Sequence, residues 1–215
     1  MVKILKIMVA TALVAGLVAG LTTTTCCDGT DSNGETPDGE PSNGHTPNES
    51  ELDLTSGLGY IIECADTVAT NIEIGDSLPD FTFQDANGQP FFLSDFNGKS
   101  VMLNFWRISC HWCAVEMPYI QQVYDHWPNE DVVILTINVA DSAEEVVEFL
   151  QEHELSLPVL LDTKAELAIS YLVNSYPLSF FIDKGGAFQG VWPGALLSAE
   201  QLESILEQLS ALEGG

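Results

Sequence analysis

Apolar and polar positions alternate along this chain in blocks that read as strands and helices from residue 74 onward. Phe81-Thr82-Phe83 and Pro90-Phe91-Phe92-Leu93 flank Asp85-Ala86-Asn87-Gly88, and an Asn-Gly between alternating apolar runs predicts a hairpin. Val101 to Phe105 and Asp131 to Asn138 are almost continuously apolar in their interiors, the pattern of strands buried on both faces. Between them, Ala114 to His126 has helical character. Ser142 followed by Glu145 is a capping box, which predicts a helix running to about His153. Leu157 to Leu161 predicts a strand, Lys164 to Tyr171 a short helix and Leu178 to Ile182 another strand. Asp183-Lys184-Gly185-Gly186 then turns into Ala187 to Trp192. Leu202, Ile205, Leu206 and Leu209 recur at helical spacing within a closing helix, Ser198 to Leu212. Strands alternating with helices make an α/β domain, and the late hairpin makes its sheet mixed.

The first 73 residues read differently. Lys3 and Lys6 precede a fifteen-residue apolar run, Ile7 to Leu21, too short for an ordinary membrane span and suited to a secretory h-region. Cys26 follows shortly, as in a bacterial lipoprotein signal, although Thr23 and Thr25 stand where Leu and a small residue are usual. The expectation is lipidation at Cys26. Cleavage near Ala19-Gly20 and an uncleaved anchor are the alternatives, and all three place the domain outside the cytoplasm. Asp28 to Ser56 is rich in Gly, Pro, Ser, Thr, Asn and acids, without Lys or Arg. Such a segment cannot bury a core and predicts a flexible tether with a typical reach of about 30 Å. Leu58 to Glu73 is an ambiguous lead-in. The division is therefore a signal or lipoprotein-type segment (1–27), an acidic flexible linker and lead-in (28–73), and a folded domain (74–213).

Charge narrows the partners. The chain has 32 acids against 6 Lys and Arg, a net charge of −26. Beyond the signal only Lys99, Arg107, Lys164 and Lys184 are basic, so nucleic acid and anionic lipid surfaces are poor partners. A basic client protein or a saline habitat would suit the acids, but a soluble surface kept monodisperse by charge is the simpler account.

The candidate chemistry lies in Cys110-His111-Trp112-Cys113, between the strand ending at Trp106 and the helix that follows. Two thiols at this spacing at a helix start can close a small disulfide ring, and the helix dipole stabilises a thiolate on the first sulfur. Zinc sites use the same spacing, but His126 and His153 offer no recognisable ligand pattern to complete one. Cys110, at the helix start, is the natural attacker and Cys113 the resolving thiol. Glu116 is three residues beyond Cys113 and shares its helix face. A partly buried carboxyl there would move the Cys113 proton; the alternative is a solvated helix acid. His111, and Arg107 in the preceding loop, are candidates for lowering the Cys110 pKa. Trp112 is a candidate rim residue for partner contact. Cys64 would pair with Cys27, react with a partner, or serve as a small buried hydrophobe, the last being the simplest reading.

Several motifs in order resemble the TlpA/ResA-like branch of the thioredoxin superfamily, with an AhpC/TSA-redoxin-like domain. Gly75-Asp76-Ser77-Leu78-Pro79-Asp80-Phe81, Leu93-Ser94-Asp95-Phe96-Asn97-Gly98-Lys99, Leu103-Asn104-Phe105-Trp106 and Cys113-Ala114-Val115-Glu116-Met117-Pro118 carry the likeness. So do Pro158-Val159-Leu160-Leu161-Asp162 and Phe180-Phe181-Ile182-Asp183. The resemblance spans about Gly75 to Leu212 and implies a thioredoxin-like fold with an N-terminal β-hairpin extension. It further implies a thiol–disulfide oxidoreductase that needs no cofactor beyond the Cys110–Cys113 disulfide and binds no metal. It makes Glu116 a functional acid, with Asn104 where classical thioredoxins bury an acid. Pro177 becomes a cis-proline opposite the cysteines, with Tyr176 offering its backbone to a client strand. Implied partners are client protein disulfides, the haem-site disulfide of an apocytochrome c among them, and a membrane thiol electron donor. Ser109, Arg107, Ile108, Ala114 and the His111-Trp112 dipeptide depart from the family's usual residues and bear on redox potential and partner choice. A reductant is the leading expectation, an oxidase or isomerase the alternative, and a metal carrier of the same fold the third. A peroxidase of this superfamily needs Pro and Thr or Ser at the positions of Leu103 and Arg107, and this chain has neither.

Overall fold

In the computed structural model the described residues are 58–64, 68–127 and 131–212. The Cys26 assignment, the signal segment and the tether lie outside them. Eight strands form one sheet: β1 (Leu58–Cys64), β2 (Phe81–Gln84), β3 (Pro90–Phe92), β4 (Ser100–Trp106), β5 (Val132–Val139), β6 (Val159–Asp162), β7 (Leu178–Ile182) and β8 (Phe188–Pro193). The helices are α1 (His111–His126), α2 (Ala143–Glu152), α3 (Glu166–Ser170) and α4 (Ala199–Ser210). The sheet order is β3-β2-β1-β6-β5-β4-β7-β8. β1, β6, β5 and β4 run parallel, while β7–β8 and β2–β3 add antiparallel pairs at the two edges. The mixed α/β sheet with its hairpin extension agrees with the sequence reading.

One feature departs from it. The lead-in assigned to 28–73 contains β1, which lies in the interior of the sheet, antiparallel to β2 and parallel to β6. The folded unit thus includes residues 58–64 as well as the stretch from 74. The segment Leu-Gly-Tyr-Ile-Ile-Glu-Cys gives little sign of this, because its burial does not alternate and a register shift interrupts it between Ile61 and Glu63. Gly59 permits the fit: a Cβ there would lie 2.5 Å from Leu160 Cδ2 and 2.6 Å from the Gln84 carbonyl oxygen. The helix bounds also shift. α1 begins at His111 rather than Ala114, and α3 is confined to Glu166–Ser170.

The period-2 alternation of β4 divides the core into two layers. Met102 and Trp106 join Met117, Ile120, Phe149, Leu202 and Leu206 on the side of α1, α2 and α4. Val101, Leu103 and Phe105 join Phe81, Phe83, Ile137, Tyr171 and Phe180 on the other. Asn104 has the same parity as Met102 and Trp106, so the alternation that builds the core also directs one polar side chain toward α1. Among the described residues no helix is long and apolar enough to cross a membrane.

Candidate active site

α1 starts where β4 ends, and Cys110 is its N-cap. The Cys110 sulfur accepts a hydrogen bond from the Cys113 backbone N–H at 3.1 Å, and the two cysteines are joined in a disulfide with Cα atoms 5.3 Å apart. The pair is asymmetric. Cys110 is half-buried, whereas Cys113 is fully buried in the α1-side core. An incoming thiol or disulfide therefore meets Cys110 first. No acidic residue stands in the first turn of α1, so nothing there opposes the attraction of the helix N-terminus for a thiolate.

The approach loop is held from outside the motif. The Asp141 carboxylate accepts from the Ile108 backbone N–H at 2.8 Å and from Asn138 Nδ2 at 3.0 Å. Asp141 lies two residues beyond β5, whose end runs parallel to the end of β4. Ile108 and Ser109 share a groove of about 320 Å³ with Asp141, Glu145, Glu148 and Glu152.

Beneath the disulfide lies Glu116, with no exposed surface. Its Oε1 accepts from Asn104 Nδ2 at 2.8 Å, and its Oε2 accepts from the Leu196 backbone N–H at 2.9 Å. Burial raises its pKa to about 7, against the opposing pull of these two hydrogen bonds. The carboxyl is thus poised to hold or release a proton near neutrality. The same Asn104 Nδ2 donates to Ser179 Oγ at 3.0 Å, while Asn104 Oδ1 is buried without a hydrogen-bond partner.

The Tyr176-Pro177 peptide, directly before β7 and beside the end of β4, is cis. The Pro177 carbonyl accepts from the Gly194 N–H at 2.9 Å, which ties this turn to the loop after β8. The Arg107 guanidinium lies 5.7 Å from the centre of the Tyr176 ring, within cation–π range. Burial pushes the Tyr176 phenol up, and Arg107 acts against that shift. Arg107 thus stacks on the residue before the cis-proline, a contact that its loop position does not announce. His111 is exposed, its ring edge-on to Trp112 at 5.5 Å, and Trp112 is 56% exposed.

The structure therefore gathers Cys110, Cys113, Glu116, Trp112, His111, Arg107, Tyr176 and Pro177 around one end of the sheet. Cys64 is free, half-buried on β1, and its thiol is pushed up to about 11 by burial and by Asp162 and Glu166. Asp141, Ser179 and the Leu196 N–H escaped the sequence reading. Only Ser179 carried a usable signal, a hydroxyl two residues beyond the cis-proline on an otherwise apolar strand.

Comparison with known proteins gives this centre its family. Residues 74–190 match the model of the AhpC/TSA family. The thiol-disulfide oxidoreductase ResA of Geobacillus kaustophilus is 33% identical over 157 residues, covering 73% of this chain and 90% of its own. Among solved structures, StoA of Bacillus subtilis is 30% identical with a TM-score of 0.51, covering 58% of this chain and 94% of its own. An exposed lipoprotein thioredoxin of Streptococcus pneumoniae is 29% identical with a TM-score of 0.52, covering 60% and 99%. With its CxxC disulfide capping α1 on a thioredoxin-like sheet, the chain belongs to the AhpC/TSA family as a ResA-like thiol–disulfide oxidoreductase.

Proposed function

We propose that the domain is an extracytoplasmic, membrane-attached reductant of client disulfides. The observation that carries the mechanism is the asymmetry of the pair: Cys110 is reachable, and Cys113 is sealed on the helix face that also bears Glu116. In the reduced protein the Cys110 thiolate attacks one sulfur of a client disulfide. A mixed disulfide forms and the client's other sulfur leaves as a thiolate. Cys113 passes its proton to the Glu116 carboxylate and, as a thiolate, attacks the Cys110 sulfur. The intramolecular disulfide closes and the second client thiolate departs. Two electrons have moved from the protein to the client, and a membrane thiol donor restores the dithiol.

Tyr176 and Pro177 would receive the client strand, with Trp112 on the rim. Arg107, stacked on Tyr176, fits the positioning of that turn better than direct tuning of Cys110, whereas His111 remains the candidate for tuning. Attachment rests on the N-terminal sequence, through a lipid on Cys26 or an uncleaved anchor, and the pneumococcal lipoprotein relative supports it. A haem-site disulfide of an apocytochrome c is one client that an acidic domain would suit.

The test is the reduction potential of the Cys110–Cys113 couple, obtained by equilibrating the protein with glutathione buffers and counting thiols. A value near about −270 mV supports the reductant. A value near about −120 mV makes the protein a disulfide donor instead, with His111 the first residue to replace. Cys113→Ser should accumulate mixed disulfides through Cys110; accumulation in Cys110→Ser instead would reverse the two roles.

A further inference from the structure

The sheet does not by itself fix how far Cys110 stands from the turn at Tyr176-Pro177. β4 and β7 pair as far as Phe105 and Leu178. Pro177, the next residue on the β7 side, has no N–H with which to extend the ladder, and its carbonyl accepts from Gly194. Beyond Trp106 and before Leu178 the two segments therefore leave the sheet separately, and their spacing is left to other contacts.

Residues 107–110 form a tight turn in which the Cys110 N–H donates to the Arg107 carbonyl at 3.2 Å. Ile108 and Ser109 are its central residues. The Ile108 N–H donates to Asp141 at 2.8 Å, and Asn138 Nδ2 donates to the same oxygen, Oδ2, at 3.0 Å. Asn138 is the β5 residue that faces Trp106 at the end of the β4–β5 ladder. Asp141 thus carries that pairing one step further, onto the turn. The chain adopts a left-handed residue to do so. Ala140 has a φ of 62°, and its N–H donates to the Asp162 carbonyl at 3.0 Å. A non-glycine residue in this region is uncommon and persists where its surroundings over-determine it. The turn also reaches the other side of the site, where the Arg107 guanidinium stacks on Tyr176. Arg107 Nε is buried without a hydrogen-bond partner, so the backbone turn and the stack, not a bond at Nε, set its place. A shift of residues 107–109 would move Arg107 and Cys110 together.

We propose that Asp141 is a positioning residue that holds the Arg107–Cys110 turn against the end of β5, keeping Arg107 on Tyr176 and Cys110 in register with the Tyr176-Pro177 turn. This rests on the reading of Cys110 as the attacker and of that turn as the seat of the client strand. Asp141 acts through the turn and not on the sulfur. A client strand that lies on Tyr176-Pro177 and presents its disulfide to Cys110 needs both points at one spacing. A small disulfide that meets Cys110 alone does not.

The experiment compares the rates at which the reduced protein reacts with two disulfides. One is an extended peptide with an internal disulfide, which spans both points; the other is dithiodipyridine, small and uncharged. Asp141→Ala should slow the peptide reaction by about tenfold or more and the dithiodipyridine reaction by less than about twofold. Asp141→Asn should bring the peptide reaction back to within about twofold of the wild type. Its amide oxygen can accept both bonds that now go to Oδ2. Its amide nitrogen would replace Oδ1, which bonds to none of the described residues on a side chain that fronts the groove beside Ser109. Arg107→Met should slow the peptide reaction likewise, and combining it with Asp141→Ala should add little, because both break one link. Equal slowing of both substrates by Asp141→Ala would overturn the proposal by placing the effect on the sulfur. So would an Asp141→Asn protein as slow as Asp141→Ala, or losses that multiply in full in the double variant. A wild-type protein that reduces dithiodipyridine but not the peptide would remove the client reading itself, and the proposal with it.

Discussion

Two of the four buried carboxylates among the described residues, Asp183 and Glu116, lie toward opposite ends of the sheet, and they are held in opposite ways. Asp183, 3% exposed at the end of β7, accepts from the Gly185 and Ala187 N–H groups and from Gln189 Nε2. All three donors come from the next six residues. Glu116, with no exposure, has two donors, 12 and 80 residues away in sequence. The first carboxylate builds a turn out of its own neighbourhood. The second is assembled only when β4, α1 and the loop after β8 have come together, and its two donors leave its pKa well above the ordinary carboxyl value. A buried acid saturated by its own turn serves the architecture; one left short of donors at a reactive centre is available for proton transfer.

That contrast can be broken most sharply at Glu116. In the oxidised protein an unfolded Glu116 ionises near 4.5, while the folded one keeps its proton to about 7. Between those values the folded state binds more protons, so stability falls as pH rises through this window and is level on either side of it. The loss is on the order of 3 kcal/mol. Urea unfolding of Glu116→Gln should lack this fall between pH 5 and pH 8, and an unaltered slope would show that Glu116 titrates normally. A smaller effect is expected at the other end. Asp183→Ala orphans three donors in a partly solvated turn and should cost about 2 kcal/mol in the same measurement. The rate–pH profile of exchange should be unmoved, and a displaced profile would mean that the two ends are coupled. The smallest concerns Cys64, where the same burial acts on a thiol. A pKa near 11 leaves roughly a hundredth of the ordinary thiolate fraction. Alkylation of the reduced protein at pH 8 should label Cys110 long before Cys64, and Cys64→Ser should change exchange by less than twofold. Equal labelling would remove the distinction.

The same division between local and distant determinants governs what could be read in the sequence. The Asn87-Gly88 hairpin, the Ser142–Glu145 capping box and the Asp183 turn were legible because their causes lie within a few residues. The redox pair and Glu116 were legible by helical spacing. The resemblance to a known branch pointed to the cis-proline, which no local signal would have marked. Asp141 was not legible, since its bond to the Ile108 N–H spans 33 residues and depends on β4 and β5 ending side by side. Arg107 was placed near the cysteines on loop position alone; its contact with Tyr176 exists only because β7 pairs with β4.

β1 sits between β2 and β6 and joins the β2–β3 hairpin to the rest of the sheet. The family match begins at residue 74, ten residues after β1 ends. A chain trimmed to that boundary would keep every cysteine of the redox pair and every helix, yet it would lose a strand from the interior of the sheet. Two raw edges would open, one on β2 and one on β6, each able to pair with a second molecule. The safe place to sever the folded unit from the residues before it is therefore upstream of Leu58.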